Sequence, residues 1–161
     1  MLKLQTGLWF LLGWQAVMAQ DGQANIAAVI DDFHLAASQA DRVRYFGHLG
    51  EQAVFLGTDG SERWTRKSFE ETYGAYMDSG KGWTFTSVER YITLGPGGTV
   101  AWFDEALRSE HYGSCRGSGV LVLRDGVWKI AQYNLSIPMP NHLAKEFVAR
   151  IKREPEPPAK D

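Results

Sequence analysis

The hydrophobic pattern changes period midway along the chain, and that change separates a helical half from a stranded half. Ile26, Val29, Ile30, Phe33 and Ala37 recur every three or four residues, which predicts an amphipathic helix over residues 23–40. Asp41 is an N-cap candidate for a second, short helix with Val43, Tyr45 and Phe46 on its apolar side. Residues 53–57 read as a short strand, broken by the turn residues Thr58-Asp59-Gly60-Ser61. Thr65 can cap a third helix whose Phe69, Tyr73, Tyr76 and Met77 share one face, and Ser79-Gly80-Lys81-Gly82 ends it.

Beyond residue 82 the period falls to two. Residues 83–94, 99–109, 114–124 and 127–137 are rich in β-branched and aromatic types and read as four strands. Gly95-Pro96-Gly97-Gly98, Tyr112-Gly113 and Asp125-Gly126 separate them; Asp-Gly is a favoured two-residue hairpin turn. Pro138 and Pro140 stop the last strand, and Asn141 can cap a final helix with Leu143, Phe147, Val148 and Ile151 turned inward. This order predicts an α+β fold, with helices packed on one face of a curved, mainly antiparallel sheet. The usual sheet twist would leave a conical cavity between the two layers.

The N-terminus has a different character. Lys3 is the only charge before Asp21; an apolar stretch, Leu8 to Trp14, leads to the small-residue site Ala16-Val17-Met18-Ala19. That order is a signal peptide, with cleavage expected after Ala19. The apolar stretch is shorter than the ~20 residues a bilayer span needs, so no stable membrane anchor is expected after cleavage. Export, with the periplasm as the favoured destination, follows. The divisions are residues 1–19 (signal peptide), 20–152 (one domain) and 153–161, a Pro- and charge-rich tail expected to be disordered. Loss of 19 of the 161 residues leaves 142, one domain's worth, and moves the net charge from −2 to −3 as Lys3 is removed. With no basic run, a nucleic-acid partner is not expected. Cys115 is the only cysteine, which excludes an internal disulfide and suits a small core residue. No His-Glu-x-x-His or Cys-x-x-Cys occurs, so neither a metal nor another cofactor is expected.

Several segments carry a resemblance. They are Asp31-Asp32-Phe33-His34, residues 53–59, Glu62-Arg63-Trp64, residues 100–105, residues 116–121 and residues 128–136 with the Asp-Gly turn before them. Together they resemble the SnoaL-like family of the nuclear transport factor 2-like superfamily, also called the cystatin-like fold, over about residues 24–150. The resemblance implies the fold above. It does not select an activity, because the superfamily holds isomerases, dehydratases, hydrolases, cyclases and non-catalytic binding or dimerisation domains. The oxyanion pair of the ketosteroid isomerases is not recognisable, and the paired histidines of the dehydratases do not map onto His34, His48, His111 and His142.

Strand alternation then selects candidate pocket residues. Val100, Trp102, Asp104 and Ala106 share one face; so do Arg116, Ser118, Val120 and Val122; so do Trp128, Ile130, Gln132 and Asn134. If these faces meet the helices, Asp104, Arg116, Ser118, Gln132 and Asn134 line the mouth and Trp102 forms a wall. Trp64, Tyr45, Trp83 and Phe85 are further wall candidates. Asp104 beside Trp102 is then the general-base candidate, since desolvation raises a carboxyl pKa. A slip of one residue would exchange Asp104 for Glu105. His34, one turn after Ile30, or Arg116 is the candidate assisting group. The opposite faces, with Ala101, Phe103, Leu107, Leu121, Leu123, Tyr133 and Leu135, would form an apolar outer surface suited to a homodimer. Three functions stay open: an exported module binding a small, largely apolar molecule; a lyase, isomerase or cyclase using Asp104; and a homodimeric assembly domain.

Overall fold

The computed structural model describes the backbone of residues 6–155 and side chains from Gly22. Residues 1–5 of the expected signal peptide and 156–161 of the expected tail lie outside the described residues. The chain forms α1 (Thr6–Ser38), α2 (Arg42–Gly47), β1 (Leu49–Leu56), β2 (Arg63–Thr65) and α3 (Arg66–Asp78). Then follow β3 (Thr86–Leu94), β4 (Val100–Ser109), β5 (Gly113–Arg124), β6 (Val127–Ser136) and α4 (Ala144–Ile151). The sheet order is β2-β1-β6-β5-β4-β3; β1 and β6 pair in parallel and every other pair is antiparallel. The fold is therefore α+β on an open, six-stranded mixed sheet, with the expected meander as its larger part. Among the described residues no helix is long and apolar enough to cross a membrane.

The local signals explain most elements. Asp41 accepts from the Arg44 amide at the start of α2. Thr65 and Ser68 form a reciprocal capping box that starts α3. Asp125 and Gly126 both have positive φ, 50° and 77°, as a two-residue hairpin turn between right-twisted strands requires. Ile26, Ile30, Phe33 and Ala37 present the buried stripe of α1 to the sheet. The C-terminal segment differs from expectation. Asn141 begins one turn of 3₁₀ helix, α4 follows from Ala144, and no side chain caps it. Phe147, Val148 and Ile151 are exposed, because among the described elements the substantial contact of α4 is with the preceding turn alone.

The faces of the sheet are the main correction. In β4 the buried residues are Ala101, Phe103, Glu105 and Leu107, while Val100, Trp102, Asp104 and Ala106 face outward. In β5 Cys115, Gly117, Gly119 and Leu121 point in, and Arg116, Ser118, Val120 and Val122 point out. In β6 the expectation holds for Trp128 and Ile130, which are buried, and fails beyond them. Ile130 pairs with Leu121 and Gln132 with Val120, so Ala131 is an extra residue that forms a bulge. The bulge turns Tyr133 and Leu135 inward and Gln132 and Asn134 outward. The apolar set assigned to an outer dimer surface is thus the inner core.

Two glycines make this inner face possible. A Cβ on Gly117 would lie 2.6 Å from the Tyr133 hydroxyl and 2.8 Å from Glu105 Oε1. One on Gly119 would collide with the Gln132 carbonyl and the Phe103 ring. Their bare backbone leaves room for large and polar side chains from the neighbouring strands.

Candidate functional site

A cavity of about 370 Å³ opens at one end of the domain, between α3, the β1–β2 hairpin and the loop before β3. Eight of its thirteen lining residues are aromatic. Phe69, Tyr73 and Tyr76 come from α3, where spacing of four and three residues puts them on one face. Phe55 and Trp64 come from the hairpin strands, whose register sets them directly opposite each other. Trp83 and Phe85 approach from the loop, and Tyr112 from the β4–β5 turn. The Trp83 amide donates to the Ala37 carbonyl (3.3 Å), and Gly82 lies against that carbonyl where a Cβ would collide. These contacts pin the loop to the end of α1 and aim Trp83 at the cavity.

The polar groups of the cavity are few. Among the described residues Glu62 is the one charged lining side chain, joined by Thr58, Thr72 and the tyrosine hydroxyls. The hairpin fixes Glu62: its carbonyl accepts from Gly57 N–H, its amide donates to the Asp59 carbonyl, and Oε2 accepts weakly from Asp59 N–H. Its side chain lies over Gly57, where a Cβ would leave no space. Among the described residues no cation pairs with Glu62 within 4.0 Å. Burial raises the Tyr73 hydroxyl pKa, and the nearby Glu62 and Tyr112 raise it further, so Tyr73 stays protonated and can donate into the cavity.

A second polar group lies deeper. Glu105 is buried, and three donors surround its carboxylate. His34 Nε2 donates to Oε1 at 2.7 Å, Tyr133 Oη donates to the same oxygen at 3.4 Å, and Arg90 Nε donates to Oε2 at 2.8 Å. Arg90 also binds Asp31 at 2.8 Å, while its Nη2 is buried without a partner. Burial alone would raise the Glu105 pKa; the hydrogen bonds and charges of His34 and Arg90 outweigh it and hold the pKa below the ordinary value. Burial and the Glu105 charge push the Tyr133 hydroxyl well up. With both oxygens occupied and no exposed surface, Glu105 is placed to hold α1 on β3 and β4 rather than to take a proton from a ligand. Among the described residues no cluster of three or more His, Cys, Asp or Glu is arranged to hold a metal ion.

The expected site residues therefore separate into three groups. Trp64 lines the aromatic cavity, as do Trp83 and Phe85. Tyr45 is buried one layer behind, in edge contact with Trp83 at 5.3 Å; burial raises its pKa well up and a hydrogen bond from Trp83 partly opposes this. Asp104, Trp102, Arg116, Ser118, Gln132 and Asn134 do come together, but on the outer face of the sheet. Asp104 is thus across the sheet from His34, and its neighbour Glu105 is the partner His34 meets. The residues that alternation did not yield are Glu62, Tyr73, Tyr112 and Arg90. Arg90 left a signal: it shares strand parity with Ile92 and Leu94, a cation on an otherwise apolar face.

A family model described as the SnoaL-like domain matches residues 26–140. A comparison with curated proteins gives no significant match. Among solved structures the chain is similar to a nuclear transport factor 2-like protein of unknown function from Pseudomonas putida KT2440. There the identity is 13% and the TM-score 0.65, covering 76% of this chain and 90% of that one. It is also similar to an uncharacterised cystatin-like-fold protein from Caulobacter vibrioides, at 19% identity and TM-score 0.61, over 81% and 99% of the two chains. A third is a provisionally assigned dehydratase of the nuclear transport factor 2-like family from Streptomyces avermitilis, at 12% identity and TM-score 0.60, over 73% and 96%. At these identities the structural likenesses establish the fold. With the family match covering most of the domain, the chain belongs to the SnoaL-like family and has the nuclear transport factor 2-like, or cystatin-like, fold.

Proposed function

We propose that this protein is an exported module that binds a small, largely apolar molecule in the aromatic cavity. The observation that carries this reading is the cavity itself: about 370 Å³, eight aromatic walls and a few convergent polar groups. Small-molecule sites are built this way, with apolar surface for affinity and sparse polar groups for orientation. Export rests on the order of charge, apolar stretch and small residues across residues 1–19. Native mass spectrometry of the protein purified from its exporting host tests both parts. The reading expects a mass starting after Ala19 and a stoichiometric small-molecule adduct that Trp83→Ala abolishes. A mass retaining Met1 counts against export, and an adduct that survives the substitution counts against this cavity.

A homodimer is a compatible second reading, now through a different residue set. Tyr91, Val100 and Trp102 are 60%, 38% and 47% exposed on adjacent strands of the outer face. Exposed apolar surface of this kind suits a second copy of the chain. Sedimentation at high concentration should show a dimer that Trp102→Lys dissociates; a monomer at all concentrations removes this reading.

A further inference from the structure

We propose that the cavity is selective for an organic cation, with a quaternary or alkylated ammonium group seated among Trp64, Tyr73, Trp83 and Tyr112 and facing Glu62. This rests on the cavity being a small-molecule site, and it adds the chemical class of the ligand.

Three observations support it. First, among the described residues Glu62 is the one charged group lining the cavity, and no cation pairs with it within 4.0 Å. A neutral ligand would desolvate that carboxylate without compensation, and an anion would be repelled. Second, the rings of Trp64, Tyr73 and Trp83 meet at steep angles and so present faces from different directions. Trp64 and Tyr73 cross at 83° with centroids 5.9 Å apart, and Tyr73 and Trp83 at 77° and 6.0 Å. Ring faces carry negative potential, and a cage of them binds an alkylated ammonium that has no N–H to satisfy. Third, one wall already attracts such a charge: Lys81 Nζ lies 5.8 Å from the centroid of Tyr76. Lys81 is exposed and does not line the cavity, so it leaves Glu62 without a cationic partner among the described residues.

The test compares choline with its neutral carbon isostere, 3,3-dimethylbutan-1-ol, by calorimetric or NMR titration of the full processed protein. The inference expects choline to bind at least ~10-fold more tightly. Glu62→Gln should remove most of that preference while leaving the affinity for the isostere unchanged; circular dichroism confirms that the variant is folded. Lys81→Ala should leave choline affinity unchanged or higher, whereas an anion-binding site would weaken. Equal binding of the two probes, within about threefold, overturns the cation inference and leaves the small-molecule reading standing. Binding of neither probe overturns the cation inference, and if no neutral aromatic of similar size binds either, the small-molecule reading falls with it.

Discussion

Replacing Glu105 by leucine should cost the fold about 3 kcal/mol, the lower end of the ~3–5 kcal/mol typical of breaking a buried ion pair. The side chain is 0% exposed, and it receives donors at 2.7 and 2.8 Å from His34 and Arg90, themselves 11% and 10% exposed. Leucine fills similar space but leaves both donors facing an apolar neighbour. Arg90 keeps Asp31, which is 67% exposed and compensates only in part. The second half of the argument is the reversal. When both charges go together, the desolvation penalty goes with them, so Glu105→Leu with Arg90→Met should recover about 2 kcal/mol relative to the sum of the single changes. Urea unfolding followed by tryptophan fluorescence reads all four corners of this cycle. A single-variant loss below ~1 kcal/mol, or single losses that add within ~0.5 kcal/mol, would refute the view of Glu105 as the buried electrostatic link between α1 and the sheet.

Other expectations are more local. Gly117→Ala should destabilise by about 1–3 kcal/mol, because the new Cβ would sit 2.6 Å from the Tyr133 hydroxyl and 2.8 Å from Glu105 Oε1; thermal denaturation measures it. Asp32 is held at about 2, chiefly by its hydrogen bond to Arg44, against desolvation and with help from His48. A carboxyl depressed on folding stabilises above its unfolded pKa of about 4, and that contribution is lost as pH falls toward 2. Wild type should therefore lose more stability over this range than Asp32→Asn, and equal slopes in acid unfolding would contradict the pairing. Thr65→Ala should cost about 1 kcal/mol through loss of the α3 cap. Asp104→Asn should leave ligand affinity in the aromatic cavity unchanged, since Asp104 lies on the opposite face of the sheet.

Element order was legible because period and punctuation agreed at most positions. The switch from the Ile26–Ile30–Phe33 stripe to alternating strands, the Thr65 cap and the Asp125-Gly126 turn each stated one structure. The sheet faces were not legible, for a physical reason visible in β4. Its two faces are nearly equivalent as patterns: Val100, Trp102, Asp104 and Ala106 against Ala101, Phe103, Glu105 and Leu107, each with one acid. Bulk on one side is balanced by burial on the other, and Gly117 and Gly119 mark the inner face by absence of side chain, which hydrophobicity does not register. Alternation also assumes an unbroken strand, and the bulge at Ala131 reverses it between Ile130 and Tyr133. The candidate cavity was read in part. Trp64, Trp83 and Phe85 stood out as aromatics, but Glu62 acquires its position from the β1–β2 hairpin, whose three-residue second strand is too short to leave a periodic signal.

The most direct test of the binding site uses the tryptophans that follow Ala19, which are Trp64, Trp83, Trp102 and Trp128. Two line the aromatic cavity, Trp102 stands on the outer sheet face and Trp128 is buried. Nitrogen-15 NMR of the indole N–H groups, assigned by single substitutions, separates these locations during a titration with choline. Saturable shifts at Trp64 and Trp83, with Trp102 and Trp128 unmoved, are the expected result. Shifts confined to Trp102 would move the site to the outer face and contradict the account.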